Sequence, residues 1–247
     1  MKRDRMAVVS ALTGVTAVAW LHLWRLSGDM DPSAPMAMME IRPWAPVDFG
    51  LTALMWAIMM VGMMVPTAAP MTLTYAAVAR KAARGQTPVP AAMVFTSGYV
   101  VLWTIFSVFA ALAQWGLDQA AVLSPMMVTT SPVLGAGLLI VAGTYQLTPF
   151  KGVCLDHCRS PAHFLSAHWR PGVGGAFRMG MEHGAFCVGC CWALMGLLFV
   201  GGVMNLLWVA AIAFFVLIEK LIPRRRLTSG VAGGALILMG IAALVVG

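Results

Sequence analysis

The stretch MEHGAFCVGCCWALM, residues 181–195, is apolar enough for a bilayer yet carries Glu182, His183, Cys187, Cys190 and Cys191. Ionisable groups are costly inside lipid, so their presence there points to a function and to partners elsewhere in the chain. At about 100° per residue, His183, Cys187 and Cys190 share one helical stripe, with Cys191 at its flank. Cys187 can share an ion with Cys190 at i+3 or with Cys191 at i+4, whereas His183 and Cys190 are separated by about 10 Å of helical rise. One helix therefore supplies two or three ligands, and a second element has to complete the set. The segment TPFKGVCLDHCRSP, residues 148–161, offers Cys154, His157 and Cys158 at compatible spacing. Free cysteine often serves as a small buried hydrophobe. Three within five residues, beside a histidine and near a second Cys/His group, make a metal or redox pattern instead. Glu182 is a secondary candidate, as ligand or proton acceptor at the headgroup boundary. His163 and His168 read as interfacial residues of a short amphipathic segment.

Sulfur is abundant in a second form. The chain has 20 methionines, and LMWAIMMVGMMVP places Met55, Met59 and Met63 along one helical stripe. Met60, Met64 and Met71 fall on another stripe, turned by roughly 100–140°. Thioethers are soft ligands that select Cu(I), and a ladder at i, i+4, i+8 could pass such an ion along by exchange. Methionine is also a good filler of irregular apolar cores. The segment SGDMDPSAPMAMMEIRPW adds Met30, Met36, Met38 and Met39 among Asp29, Asp31 and Glu40, a capture patch or a plain linker.

The elements that must position these groups follow from composition. Of 247 residues, 60% are hydrophobic and 10% charged, with mean hydropathy +0.86. Soluble domains average about 25% charged residues. The expected fold is therefore all-α: a polytopic membrane helix bundle forming a single domain over residues 1–247. Seven spans are expected, near 6–24, 47–66, 92–113, 132–149, 181–201, 204–222 and 229–246, since each crossing needs about twenty apolar residues. The fifth and sixth meet at GGVMN in an antiparallel hairpin, and the second continues past Pro66 and Pro70 into YAAVAR. Fourteen of the sixteen cations flank one side, leaving only Arg25 and Arg42 on the other. By the positive-inside rule this sets the N-terminus cytoplasmic and the C-terminus external, in a bacterial inner membrane. The net charge of +7 is then topology and contact with anionic lipid, not nucleic-acid binding. The first span is expected as an uncleaved helix with Trp20 and Trp24 as interfacial anchors, a cleaved signal peptide being the competing account.

The blocks MMVGMMVPTAAPM, TPFKGVCLDHCRSP, HGAFCVGCCWALM, GGVMNLLWVA and EKLIP resemble the bacterial family of predicted metal-binding integral membrane proteins, a copper-chaperone-like domain of unknown function. The resemblance covers the second through sixth spans. It implies metal binding and that Cys154, Cys158, His183, Cys187, Cys190 and Cys191 occupy motif positions. It brings no fixed ligand set and no activity.

The expected function is binding and transfer of a soft metal, Cu(I) foremost and zinc as the alternative, with delivery to a membrane cuproenzyme or a soluble metal-binding partner. Two alternatives come from other classes. One is a membrane thiol–disulfide redox enzyme using CVGC or Cys154–Cys158, against which stands the inertness of a thiol in an apolar helix. The other is an accessory subunit of a larger complex. The sequence offers no nucleotide motif and no catalytic set. Glu219 is expected in a structural ion pair, and Lys220 is expected to snorkel toward water.

Overall fold

A computed structural model describes residues 2–28, 44–82, 87–124, 127–222 and 225–246. The segment with Met30, Met36, Met38 and Met39 lies outside the described residues. The described chain is helical: α1 (Lys2–Gly28), α2 (Pro46–Ala82), α3 (Val89–Gln119), α4 (Pro132–Leu147), α5 (Pro149–Arg159), α6 (Pro161–His168), α7 (Gly172–Gly196), α8 (Leu198–Gly201), α9 (Leu206–Leu221) and α10 (Arg225–Val246).

Five segments are long and apolar enough to cross a membrane: α1, α2, α3, α7 with α8, and α10. The bent pair α4–α5, turned by 66°, makes a sixth if taken as one span. Every expected span is thus helical, but α9 has only 16 residues, about 24 Å of rise against a core of about 30 Å. The bend after α4 has a local cause. Thr148 ends α4 in extended conformation, accepts from Lys151 N at 3.3 Å to cap α5, and precedes Pro149 at the first helical position. The turn at GGVMN forms as expected: Gly202 has φ 93° and Asn205 caps α9 by accepting from Trp208 N at 3.2 Å. The Trp208 indole then donates back to the Leu197 carbonyl at 2.8 Å.

α2 runs unbroken through both prolines. Pro66 has no N–H to give the Gly62 carbonyl, and the indole of Trp20 on α1 donates to that oxygen at 3.2 Å. Trp20 is thus a partner of the α2 backbone, and Trp24 stands exposed. On the same stretch of α2 the Thr67 and Tyr99 hydroxyls both donate to the Met64 carbonyl, at 2.8 and 3.1 Å.

Two helix crossings rest on glycine. A Cβ on Gly98 would lie 2.1 Å from the Phe177 carbonyl oxygen, and one on Gly180 1.9 Å from that of Phe95, so α3 and α7 touch backbone to backbone. Gly143 and Gly233 do the same for α4 and α10, at 2.7 and 2.9 Å. Small residues at crossings let van der Waals packing, rather than a hydrophobic force, join helices in lipid. The α3–α7 crossing sets the depth of everything α7 carries.

Candidate metal centre

α7 brings three sulfurs together. The Sγ atoms of Cys187, Cys190 and Cys191 all lie within 4.8 Å of one another. Their side chains are buried, at 0, 2 and 1% exposure. Helical residues point back toward the preceding turn, and here the Cys190 and Cys191 thiols donate to the Cys187 carbonyl at 3.1 and 2.9 Å. Both sulfurs are thereby drawn to the side of Cys187. Cys191, which spacing alone puts at the flank of the stripe, belongs to the group.

A second element adds a sulfur beside the cluster. α5 lies against α7 and puts Cys158 Sγ 4.0 Å from Cys190 Sγ. Sulfurs sharing one ion at about 2.3 Å stand roughly 3.8–4.6 Å apart, so the spacing suits a common cation. Cys154 is only half-buried; its sulfur packs over Gly189, where a Cβ would come within 2.8 Å of it. It borders the group without joining it. The Tyr145 hydroxyl, donating to the Gly189 carbonyl, holds the same turn of α7.

Two polar side chains from other helices reach Cys187. Lys220 on α9 is 8% exposed, and its ammonium donates to Cys187 Sγ at 2.9 Å and to Thr67 Oγ1 at 2.7 Å. This corrects the expected snorkelling: the sulfur and the hydroxyl offer acceptors inside the bundle at that depth. The neighbouring Glu219 is already engaged, its carboxylate taking the Lys151 ammonium at 2.6 Å and the Ser229 hydroxyl at 2.9 Å. Tyr99 on α3 places its hydroxyl 3.1 Å from Cys187 Sγ. Lys151, Lys220 and Tyr99 carry no sequence signal for these contacts, because their partners lie 33 to 153 residues away.

The remaining candidates divide. His183 is 1% exposed, one turn before Cys187, with its ring against Phe95, Tyr99 and Phe164. Its Nδ1 has no hydrogen-bond partner. Glu182 pairs with Arg170 and Arg178 at 3.3 and 3.2 Å and is not part of the thiol group. His157 stacks on Phe186 at 4.2 Å between ring centres and stands outside the thiol group. Met55, Met59 and Met63 are buried in the same apolar cluster as the thiols, and so are Met60 and Met64 of the other stripe. α2 is packed on two sides, by α1 and α3, so neither stripe faces lipid.

The donor set is soft: three thiols on one helix and a fourth across from it, thioethers behind, no carboxylate among them. Such a set favours Cu(I) or zinc over hard ions. Fold and site together define a helical protein, with segments suited to a membrane, around a buried polythiol pocket fit for a soft metal.

The chain belongs to the copper chaperone family described as PpoB2, whose model matches residues 53–243. The match begins in α2, ends in α10 and includes every residue of the pocket. No curated protein and no solved structure matches the chain.

Proposed function

We propose that this protein is a multi-pass protein of the bacterial inner membrane, one domain across its length, that binds Cu(I) and hands it to a partner. The partner is a membrane cuproenzyme or a soluble metal-binding protein. Cys187, Cys190, Cys191 and Cys158 are the ligands. Cys154 is a neighbouring sulfur for exchange, and His183 is a donor one turn away. The observation that carries this reading is the grouping of three buried sulfurs on α7, with Cys158 of α5 brought to 4.0 Å from Cys190. Membership of a copper chaperone family favours copper over zinc, and so do the buried thioethers of α2, which zinc does not seek.

The test is metal analysis of protein purified anaerobically after growth with copper and zinc. Wild-type protein is expected to hold copper, and Cys187→Ser to lose at least nine-tenths of it. Cys154→Ser should keep most of its copper, because that sulfur stands apart. Equal copper in wild type and Cys187→Ser defeats the proposal, and zinc in place of copper transfers it to the other ion.

The thioether ladder has its own test. A Met59→Leu/Met63→Leu double variant conserves volume, and such swaps usually cost less than about 1.5 kcal/mol each. It is expected to fold with normal copper at equilibrium but to lose copper uptake in cells. Undiminished uptake would return these methionines to the core.

A further inference from the structure

The search for a second site leads to the histidines on α5 and α6. The ring centres of His157 and His163 are 6.0 Å apart, and those of His157 and His168 6.4 Å apart. These residues share no site in the reading above. Their tautomers are set by what they touch. His157 Nδ1 lies 2.9 Å from the Val153 carbonyl, and His168 Nδ1 lies 3.0 Å from the Phe164 carbonyl. A carbonyl only accepts, so each Nδ1 carries the proton and donates it, which leaves Nε2 with a free lone pair. That arrangement is how proteins prepare a histidine to ligate a metal.

The spacing suits two rings and one ion. With a metal–nitrogen bond of about 2.0–2.1 Å, the ion sits about 3.2 Å from a ring centre. Two rings facing it stand at most about 6.4 Å apart, as in linear coordination. Among the described residues the three imidazoles do not form a preassembled three-ligand set. They serve in pairs about His157, and a two-coordinate soft cation asks for no more.

A second observation connects this cluster with the thiols. Phe164 and Phe186 form the wall between them: Phe186 stacks on His157, and Phe164 packs against both His168, at 4.7 Å, and His183, at 5.6 Å. Behind that wall the buried His183 has a bare Nδ1 without a partner. Cys158 follows His157 in sequence and reaches Cys190 on the inner side.

We propose that His157, His163 and His168 form an exchange station where a soft or borderline metal ion is held in transit, and that His183 relays it to the thiols. The step is ligand exchange: each metal–nitrogen bond broken is replaced by a metal–nitrogen or metal–sulfur bond, each thiol that takes the ion gives its proton to an imidazole nitrogen the ion has left, and no oxidation state changes. This rests on the thiol pocket being the destination.

The experiment follows loading of anaerobic, detergent-solubilised protein with Cu(I) supplied as its acetonitrile complex, by the ultraviolet absorption of copper–thiolate bonds in stopped flow. His157→Ala/His163→Ala/His168→Ala is expected to reach the wild-type copper content at a rate at least tenfold lower. His157→Phe keeps the stack on Phe186, removes the nitrogens, and should slow loading several-fold on a scaffold that folds normally. Wild-type rates in both variants overturn the proposal. A readout independent of the thiols is protection of the three histidines by Ag(I), a soft cation that accepts two-coordination, against diethylpyrocarbonate, read by mass spectrometry. Protection is expected in wild type and equally in Cys187→Ser/Cys190→Ser/Cys191→Ser. Failure of Ag(I) to protect them overturns the station even where copper loads. Protection without any copper uptake sinks the thiol reading and leaves the station standing.

Discussion

Glu219→Gln is expected to destabilise the protein by about 3–5 kcal/mol, the usual cost of removing one partner from a buried ion pair. Lys151 and Glu219 are 1 and 2% exposed, and their contact is 2.6 Å. Glutamine would leave the Lys151 ammonium buried without a countercharge, while Ser229 could still donate to the amide oxygen. The pair joins α5 to α9, and Ser229 adds α10. Its loss therefore loosens the element that carries Cys158, and copper content should fall together with stability. Replacing both partners, as Lys151→Met/Glu219→Leu, is expected to restore most of the stability, because two apolar side chains leave no stranded charge. Thermal unfolding in detergent micelles, run on the single and double variants, checks both statements. A single variant within about 1 kcal/mol of wild type would mean the pair behaves as a solvent-screened one.

Gly180→Ala is the second large effect. The added carbon would sit 1.9 Å from the Phe95 carbonyl oxygen, where real Cβ atoms stay beyond 3.0 Å. The obstacle is backbone, so no side chain can swing aside, and α3 has to move off α7. Overpacking of this kind costs about 1–3 kcal/mol and occasionally more; a backbone clash belongs at the upper end. The movement parts Tyr99 from Cys187, now 3.1 Å from its hydroxyl. The expected result is a much lower unfolding temperature and partial loss of copper. Gly137→Ala on α4 is the control: nothing lies within 4 Å of the new carbon, and a helical glycine exchanged for alanine is neutral or stabilising. Equal behaviour of the two variants would refute the close crossing.

Much of this was written in the sequence, for reasons that differ by residue. Helical period alone puts Cys187, Cys190 and His183 on one stripe, and i, i+3 and i+4 geometry is local, so it survives folding. Cys158 joined because α5 starts at a capped proline and lies along α7, a matter of packing that the spacing could only allow. Cys154, four residues earlier, faces Gly189 instead of the other sulfurs. His157 was drawn elsewhere by an aromatic ring the local pattern does not reveal, and Glu182 by two arginines, of which Arg178 is an i,i+4 partner legible in the helical period and Arg170 is not. The lysines were the least legible. Snorkelling is the default for a lysine near a helix end, and only the finished bundle discloses that Lys220 finds a sulfur and a hydroxyl inside. The number of crossings is a related case, since apolar character finds α9 but not its shortness.

The ammonium of Lys220 on the sulfur of Cys187 has a consequence for how tightly cargo can be held. An arriving cation meets a resident positive charge a few ångströms away, and in an interior of low polarity that repulsion is felt strongly. Thr67 gives the displaced ammonium a second resting point without a return to water. On the transfer function proposed above, this neighbour suits a courier and not a vault: the same charge that resists loading favours release.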